Sequence, residues 1–236
     1  MADAASNRDR LLSSAARLLA EQGVSVSTRA ICAEAGVTAP TLYHYFGDRE
    51  GLLQAVVTHG FAEYLAQKKS AELTGDPIAD IRAGWFDHQA WGVANPSFYA
   101  LMYGQVLPGK HPSANEGERL LTEKLDAAAR LGLLQVPPPV AMRMILSANI
   151  GLTLTLISQP ESVAPDVSER LIAALLESVM VPGATARPET TAADLSTAAS
   201  AIALRAALAD SSTDAITPAE RPLLDSWLDK LAERSR

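Results

Sequence analysis

Between Ala35 and Leu52 the chain reads AGVTAPTLYHYFGDREGL. Thr38, Thr41 and Tyr43 offer hydroxyls, His44 an imidazole, and Ala39 with Pro40 a compact apolar surface. Neutral donors of this kind can hold phosphate oxygens, and small apolar groups can touch a thymine methyl. Yet Thr38 to Gly47 contains no Lys or Arg, the residues on which affinity for nucleic acid ordinarily leans. The stretch is therefore either an ordinary amphipathic helix or a surface shaped to enter DNA without bulk charge.

A second concentration of functional side chains lies further on. Six of the twelve aromatic residues fall between Trp85 and Tyr103, namely Trp85, Phe86, Trp91, Phe98, Tyr99 and Tyr103, with His88, Gln89 and Met102 among them. Trp85, His88 and Gln89 share one helical face at i, i+3 and i+4. Asn149 and Thr153 place two more polar groups four apart in a mostly apolar helix. Apolar rings with a few convergent polar groups suit a small-molecule cavity, so Trp85, His88, Gln89, Phe98, Met102, Tyr103, Asn149 and Thr153 are expected to line one. Plain helix packing accounts for the same residues, and a buried Asn can equally be satisfied at a subunit contact.

Catalysis finds little support. His44, His59, His88 and His111 are scattered, without metal-ligand spacing on a helix. No Gly-rich phosphate loop or G-x-S-x-G elbow is present. No catalytic residue, metal or cofactor is expected. A single cysteine, Cys32, precludes a disulfide framework within one chain and suits a reducing cytoplasm.

The chain has 236 residues, 48% hydrophobic and 20% charged, enough to bury a real core as a soluble globule. MADAASNRDR is polar, so no signal peptide is expected at the start. The apolar run from Met144 to Ile157 is interrupted by Ser147, Asn149, Thr153 and Thr155 and falls short of the roughly 20 residues a bilayer requires; no membrane span is expected. The net charge of −7 is unevenly placed: residues 1–69 are neutral overall, and the remainder carries the whole excess of acid. That asymmetry points to two units with different partners and argues against nonspecific nucleic-acid binding.

The elements that position these groups read as helices throughout. Leu11, Leu12, Ala15, Leu18 and Leu19 follow helical spacing up to Gly23. Helices are expected over Thr28 to Ala35 and Thr38 to Phe46, then from an N-cap at Asp48 with Glu50 in the first turn. Others follow from Pro77 to about Ala94, after Asn95-Pro96, and at about 114–131, 138–157 and 166–180. Beyond Pro182-Gly183 the composition turns to Ala, Thr and Ser. There Leu195, Ala198, Ala199, Ile202 and Ala206 form a stripe of mostly small side chains. Thr217 to Glu220 reads as a capping box with Pro218 at N1, leading to one face of Leu223, Leu224, Trp227, Leu228 and Leu231. Both segments are expected to be helices packed on the body. No period-two alternation and no internal repeat is evident, so the fold class is all-α.

A helix-turn-helix requires a small residue facing the second helix, a glycine in the turn and an apolar inner face. Cys32, Gly36 and the set Val37, Leu42 and Tyr45 meet this requirement, leaving Thr38, Ala39, Thr41, Tyr43 and His44 outward. Pro40 lies in the first turn, where its missing N–H costs little. An αα-hairpin in an ordinary bundle meets the same pattern.

The stretch from Arg8 to Val57 resembles the N-terminal DNA-binding domain of the TetR (tetracycline repressor) family of bacterial regulators. The resemblance is carried by Ser27-Thr28-Arg29-Ala30-Ile31, Ala35-Gly36-Val37, Thr41-Leu42-Tyr43-His44-Tyr45-Phe46 and Arg49-Glu50-Gly51-Leu52-Leu53. It implies a helix-turn-helix domain over residues 1–50 and a larger helical ligand-binding and dimerisation domain over 51–182; the additional C-terminal helices over 183–236 exceed the family's minimal plan. It implies a cytoplasmic homodimer with two recognition helices in successive major grooves of a palindromic double-stranded operator. Ala39, Pro40 and His44 would face bases or the groove floor. Thr38 belongs to the same outward face. Thr41, Tyr43 and Arg49 would hold phosphates, and Thr28 and Arg29 would approach from the preceding helix. A modest salt dependence follows, set by Arg8, Arg10, Arg29 and Arg49.

The pattern departs from the family at two positions. Cys32 replaces the usual Ala, at little cost because free Cys packs as a small hydrophobe. Gly51 is expected to weaken the first turn of the fourth helix by up to about 1 kcal/mol relative to Ala, easing its movement. Helices 138–157 and 166–180 match the family's dimerisation pair, with Ala148 and Gly151 allowing close approach. A small-molecule effector, neutral or cationic and partly aromatic, would shift the fourth helix and release the operator. A constitutive DNA-binding or protein-interaction regulator without an effector is the alternative.

Overall fold

The computed structural model describes residues 6–23, 25–70, 74–104, 112–184, 196–210 and 216–233, with 61–70, 112–116 and 210 as helix backbone. Leu195 and His111 lie outside the described residues. Among the described residues the fold is all-α, with eleven α-helices, one 3-10 turn at Pro160–Ser162, an isolated bridge between Leu134 and Met180, and no strand.

The first four helices are punctuated as local chemistry requires. Helix α1 (Asn7–Gln22) starts where the Ser6 hydroxyl accepts from the Asp9 amide at 3.2 Å and stops at Gly23; Leu11, Leu12, Ala15, Leu18 and Leu19 are buried. Helix α2 (Thr28–Ala35) starts where Ser27 Oγ accepts from Ala30 N at 3.1 Å. Helix α3 (Ala39–Phe46) follows one turn later, and α4 (Arg49–Ser70) begins where Asp48 Oδ1 accepts from Gly51 N at 2.7 Å. Each cap satisfies an amide that the helix itself leaves open.

The remaining helices are α5 (Pro77–Ala94), α6 (Pro96–Tyr103), α7 (Pro112–Arg130), α8 (Pro138–Ser158), α9 (Val167–Val179), α10 (Thr197–Asp210) and α11 (Arg221–Glu233). The chain forms two compact units. One comprises residues 1–72, 89–117 and 153–162, the other residues 73–88, 118–152 and 163–236. These boundaries cut across the sequence-based division at residues 50 and 182, because α5 and α8 each contribute to both units.

In the first unit α1 packs on α2 and α4, α3 packs on α1, α2 and α4, and α6 packs on α1 and α4. Its core holds Leu11, Leu19, Ile31, Leu42, Leu52, Val56, Phe98 and Tyr99. In the second unit Ile81, Trp85, Leu125, Leu134, Ile172 and Leu176 are buried. There α10 and α11 pack on each other. Ala198, Ala199 and Ile202 of the small-residue stripe are buried, but the single apolar face expected on α11 divides. Leu228 turns inward together with Ala232, while Leu223 and Trp227 are about half exposed. Five large residues over two helical turns span a wider arc than one neighbouring helix covers.

One helix start differs from the sequence expectation. Helix α11 begins at Arg221, a turn later than expected, because residues 218–220 form a turn; Glu220 still reaches back to the Thr217 amide (2.9 Å) and hydroxyl (2.7 Å). These bonds hold the Glu220 carboxyl below its ordinary pKa. Helix α8 spans 21 residues, so by length and composition alone it could cross a membrane. Asn149 and Thr153, near its middle, are buried within their own units.

Candidate nucleic-acid interface

The turn between α2 and α3 is fixed by one residue. Gly36 adopts φ 61° and ψ 39°, the left-handed region that favours glycine, while Val37 N donates to Cys32 O at 3.0 Å. Cys32 is buried at this joint, and burial raises its thiol pKa. The thiol stays protonated and acts as packing.

Leu42 anchors α3 and is fully buried. Around it the outward face carries Thr38, Ala39, Pro40, Tyr43 and His44, all exposed, with Thr41 half-buried. Thr38 makes no side-chain cap; its hydroxyl instead pairs with that of Thr41 at 2.9 Å. Thr28 is half-buried and Arg29 exposed at the start of α2. Tyr45, expected on the inner face with Leu42, is 42% exposed. Its ring lies between His44 (centroids 5.3 Å apart) and Phe46 (6.3 Å). An eight-residue helix resting on one leucine has too narrow a buried arc to bring in the residue three positions on.

The arginines around this face are placed unevenly. Arg29 has no partner among the described residues. Arg49 is half-buried and donates from Nη2 to the Val26 carbonyl at 3.2 Å, so part of its guanidinium braces the segment leading into α2. Arg10 Nη2 donates to the carbonyls of Ala35 and Gly36, and the Arg8 guanidinium lies 5.6 Å from the Phe46 ring centre. A Cβ at Gly51 would collide with the Phe46 carbonyl. Glycine at that position therefore makes room for the α3–α4 joint, a constraint that helix propensity does not reveal.

The residues expected to line a ligand cavity are largely interior and bonded. In the second unit Trp85 is buried, its Nε1 donating to Ser168 Oγ at 2.9 Å, and Asn149 Nδ2 donates to the Trp85 carbonyl at 3.1 Å. His88 is buried. Asn149 thus ties α8 to α5 within one chain. Ser168 was missed: nothing local marks a partner 83 residues from Trp85. In the first unit Gln89, Phe98, Met102 and Thr153 are buried, and Tyr103 is half-buried with its ring centre 4.8 Å from that of Tyr99. Burial pushes the Tyr99 phenol well above its ordinary pKa of 10.0, opposed by a hydrogen bond with Thr153.

With this geometry in place, the comparisons are direct. Residues 11–56 match the family model of bacterial regulatory proteins, tetR family. The HTH-type transcriptional regulator Rv1816 of Mycobacterium tuberculosis is 28% identical over 103 residues, 40% of this chain and 42% of its own. The match thus spans about two fifths of that relative's length. The HTH-type transcriptional regulator UidR of Escherichia coli is 24% identical over 68% of this chain and 84% of its own. The crystal structure of RolR in complex with resorcinol aligns with a TM-score of 0.61 at 25% identity, covering 77% of this chain and 91% of that one. A tetR family transcription regulator from Shewanella sp. PV-4 aligns at 0.57 and 23%, covering 75% and 100%. The helix-turn-helix geometry and these likenesses agree: residues 11–56 form a DNA-binding domain of the tetR family, and the helical fold behind it is similar to that of tetR family regulators.

Proposed function

We propose that the protein is a cytoplasmic homodimeric repressor that binds a palindromic operator through α3 and leaves it when a small molecule binds the helical body. The observation that carries this reading is the outward face of α3, where hydroxyls and an imidazole stand exposed over one buried anchor. Ala39, Pro40 and His44 would face bases. Thr38, Thr41 and Tyr43 would bond phosphates or the groove edge, with Thr28 and Arg29 approaching from α2 and Arg49 from α4. Two copies related by a two-fold axis would read two half-sites one helical turn apart.

The dimer is proposed to form through α8 and α9. Only 33% of the apolar window in α8 is buried within the chain, and a second copy is the natural cover for such a surface. Ala148 and Gly151, half-buried and exposed respectively, would allow close approach. For the effector, the likeness to RolR, solved with resorcinol, supports a small, partly aromatic ligand; the candidate contacts are Gln89, Phe98, Met102, Tyr103 and Thr153 in the first unit, and Trp85, His88 and Asn149 in the second, each unit taken by itself. A constitutive regulator without an effector is the second reading. It is favoured by Asn149 and Thr153 being engaged inside the chain. Neither reading assigns the protein a catalytic role.

Selection of bound duplexes from random-sequence DNA tests the main reading. A two-fold symmetric site is expected, and an asymmetric site occupied by one chain would overturn it. Titrating that complex with resorcinol and a panel of small neutral phenols and aromatic amines separates the two readings. Release by at least one compound supports the effector, and undiminished binding across the panel supports the constitutive form.

A further inference from the structure

We propose that Arg8 and Arg10, in the first turn of α1, are positioning residues that brace the reading helix from both ends and do not serve as phosphate contacts. Arg10 donates from Nη2 to two successive carbonyls, Ala35 O and Gly36 O, the latter at 3.2 Å. These oxygens close α2 and open the turn into α3. The last carbonyls of a helix lack intrahelical donors and sit at the negative end of its dipole, where a cation is held well. A planar guanidinium engaging both restrains the peptide plane between them, and that plane sets the direction in which α3 departs.

At the other end of α3, Arg8 lies over the ring of Phe46, the helix's last residue, at 5.6 Å. This is cation–π geometry. One helical turn of α1 therefore touches both the joint before α3 and the residue that ends it. Arg17 continues the same alignment, pairing with Glu21 at 2.9 Å and with Glu34 on α2. Arg8, Arg10 and Arg17, though exposed, are thus each engaged by protein, whereas Arg29 is exposed and has no partner among the described residues. The sequence-based expectation that Arg8 and Arg10 help set the salt dependence is replaced by a dependence resting mainly on Arg29 and Arg49.

The inference rests on α3 being the reading helix, and the experiment separates the two. Binding of the full chain to the duplex recovered from random-sequence selection is followed across a salt series. Loss of base preference in His44→Ala establishes α3 as the reader. Unchanged preference there overturns that reading and, with it, this proposal. Arg10→Gln is expected to weaken binding roughly tenfold, the scale of a lost charged hydrogen bond, while leaving the slope of log affinity against log salt unchanged. Arg29→Gln should lower that slope by about 0.9, one phosphate contact. Arg10→Lys keeps the charge but not the planar fork, and is expected to bind within about threefold of Arg10→Gln. Faster amide exchange at Val37 in both Arg10 variants would accompany the loss. A slope lowered by about 0.9 in Arg10→Gln, or full affinity in Arg10→Lys, would overturn the proposal. If Arg10→Gln does not fold, Arg10→Lys decides alone.

Discussion

On α3 the Tyr43 and His44 side chains stand exposed over one buried anchor. Around Trp85 and Tyr99 the polar groups are interior and bonded to neighbours, Trp85 to Ser168, Asn149 to the Trp85 carbonyl, Tyr99 to Thr153. The same residue types thus take opposite thermodynamic roles. An exposed hydroxyl costs the fold nothing and remains available to a partner. A buried amide or hydroxyl must be paired, because leaving it unsatisfied costs about 1–3 kcal/mol. The difference teaches that the outward face of α3 is nearly independent of stability, whereas any molecule entering among the bonded groups must replace hydrogen bonds that the fold already makes.

The largest effect expected is at the anchor shared by the two roles. Leu42→Ala removes a fully buried side chain, and a loss of about 2–5 kcal/mol is expected from lost burial and the cavity left behind. Urea unfolding measures it. A loss below about 1 kcal/mol would mean α3 is held by something other than this residue. Asn149→Ala comes next, at about 0.5–1.5 kcal/mol, because it removes a buried hydrogen bond to the Trp85 carbonyl. Little loss there would break the distinction between bonded interior and free surface.

The Tyr99 phenol sharpens the distinction through pH. Its folded pKa is raised above the ordinary 10.0 by burial, so its neutral form is favoured in the fold. Its contribution is fully present below pH 10 and is lost as pH rises toward the folded value, because the unfolded chain ionises first. The urea midpoint is expected to fall above about pH 10 and to fall less steeply in Tyr99→Phe. Equal slopes in the two proteins would refute the assignment.

The part of this arrangement written in local signals could be read from the sequence. Gly23, Gly36 and Asp48 bound the first four helices by their own caps and turns, and the buried row of α1 follows its period. The outward face of α3 follows from Leu42 alone. What escaped reading depends on distant partners. Arg10 engages carbonyls 25 and 26 residues away, Trp85 engages Ser168, and Gly51 is fitted to the Phe46 carbonyl. Nothing in a period or a cap encodes those distances. Tyr45 and the divided face of α11 show the converse limit, since an apolar type at helical spacing says which side it shares but not whether anything covers that side.

Tyr43→Phe is the smallest change and the cleanest comparison. Tyr43 is 47% exposed, and removing the hydroxyl oxygen leaves the ring and its packing in place. Stability should stay within about 0.5 kcal/mol, as for surface substitutions generally. Affinity for the selected duplex should fall by about fivefold, the scale of one neutral hydrogen bond of about 1 kcal/mol. The salt slope should not move, because no charge is removed. Fluorescence anisotropy across a salt series reads both quantities at once. Unchanged affinity would remove Tyr43 from the phosphate contacts, whereas lost stability would show that this hydroxyl, like those around Tyr99, belongs to the fold.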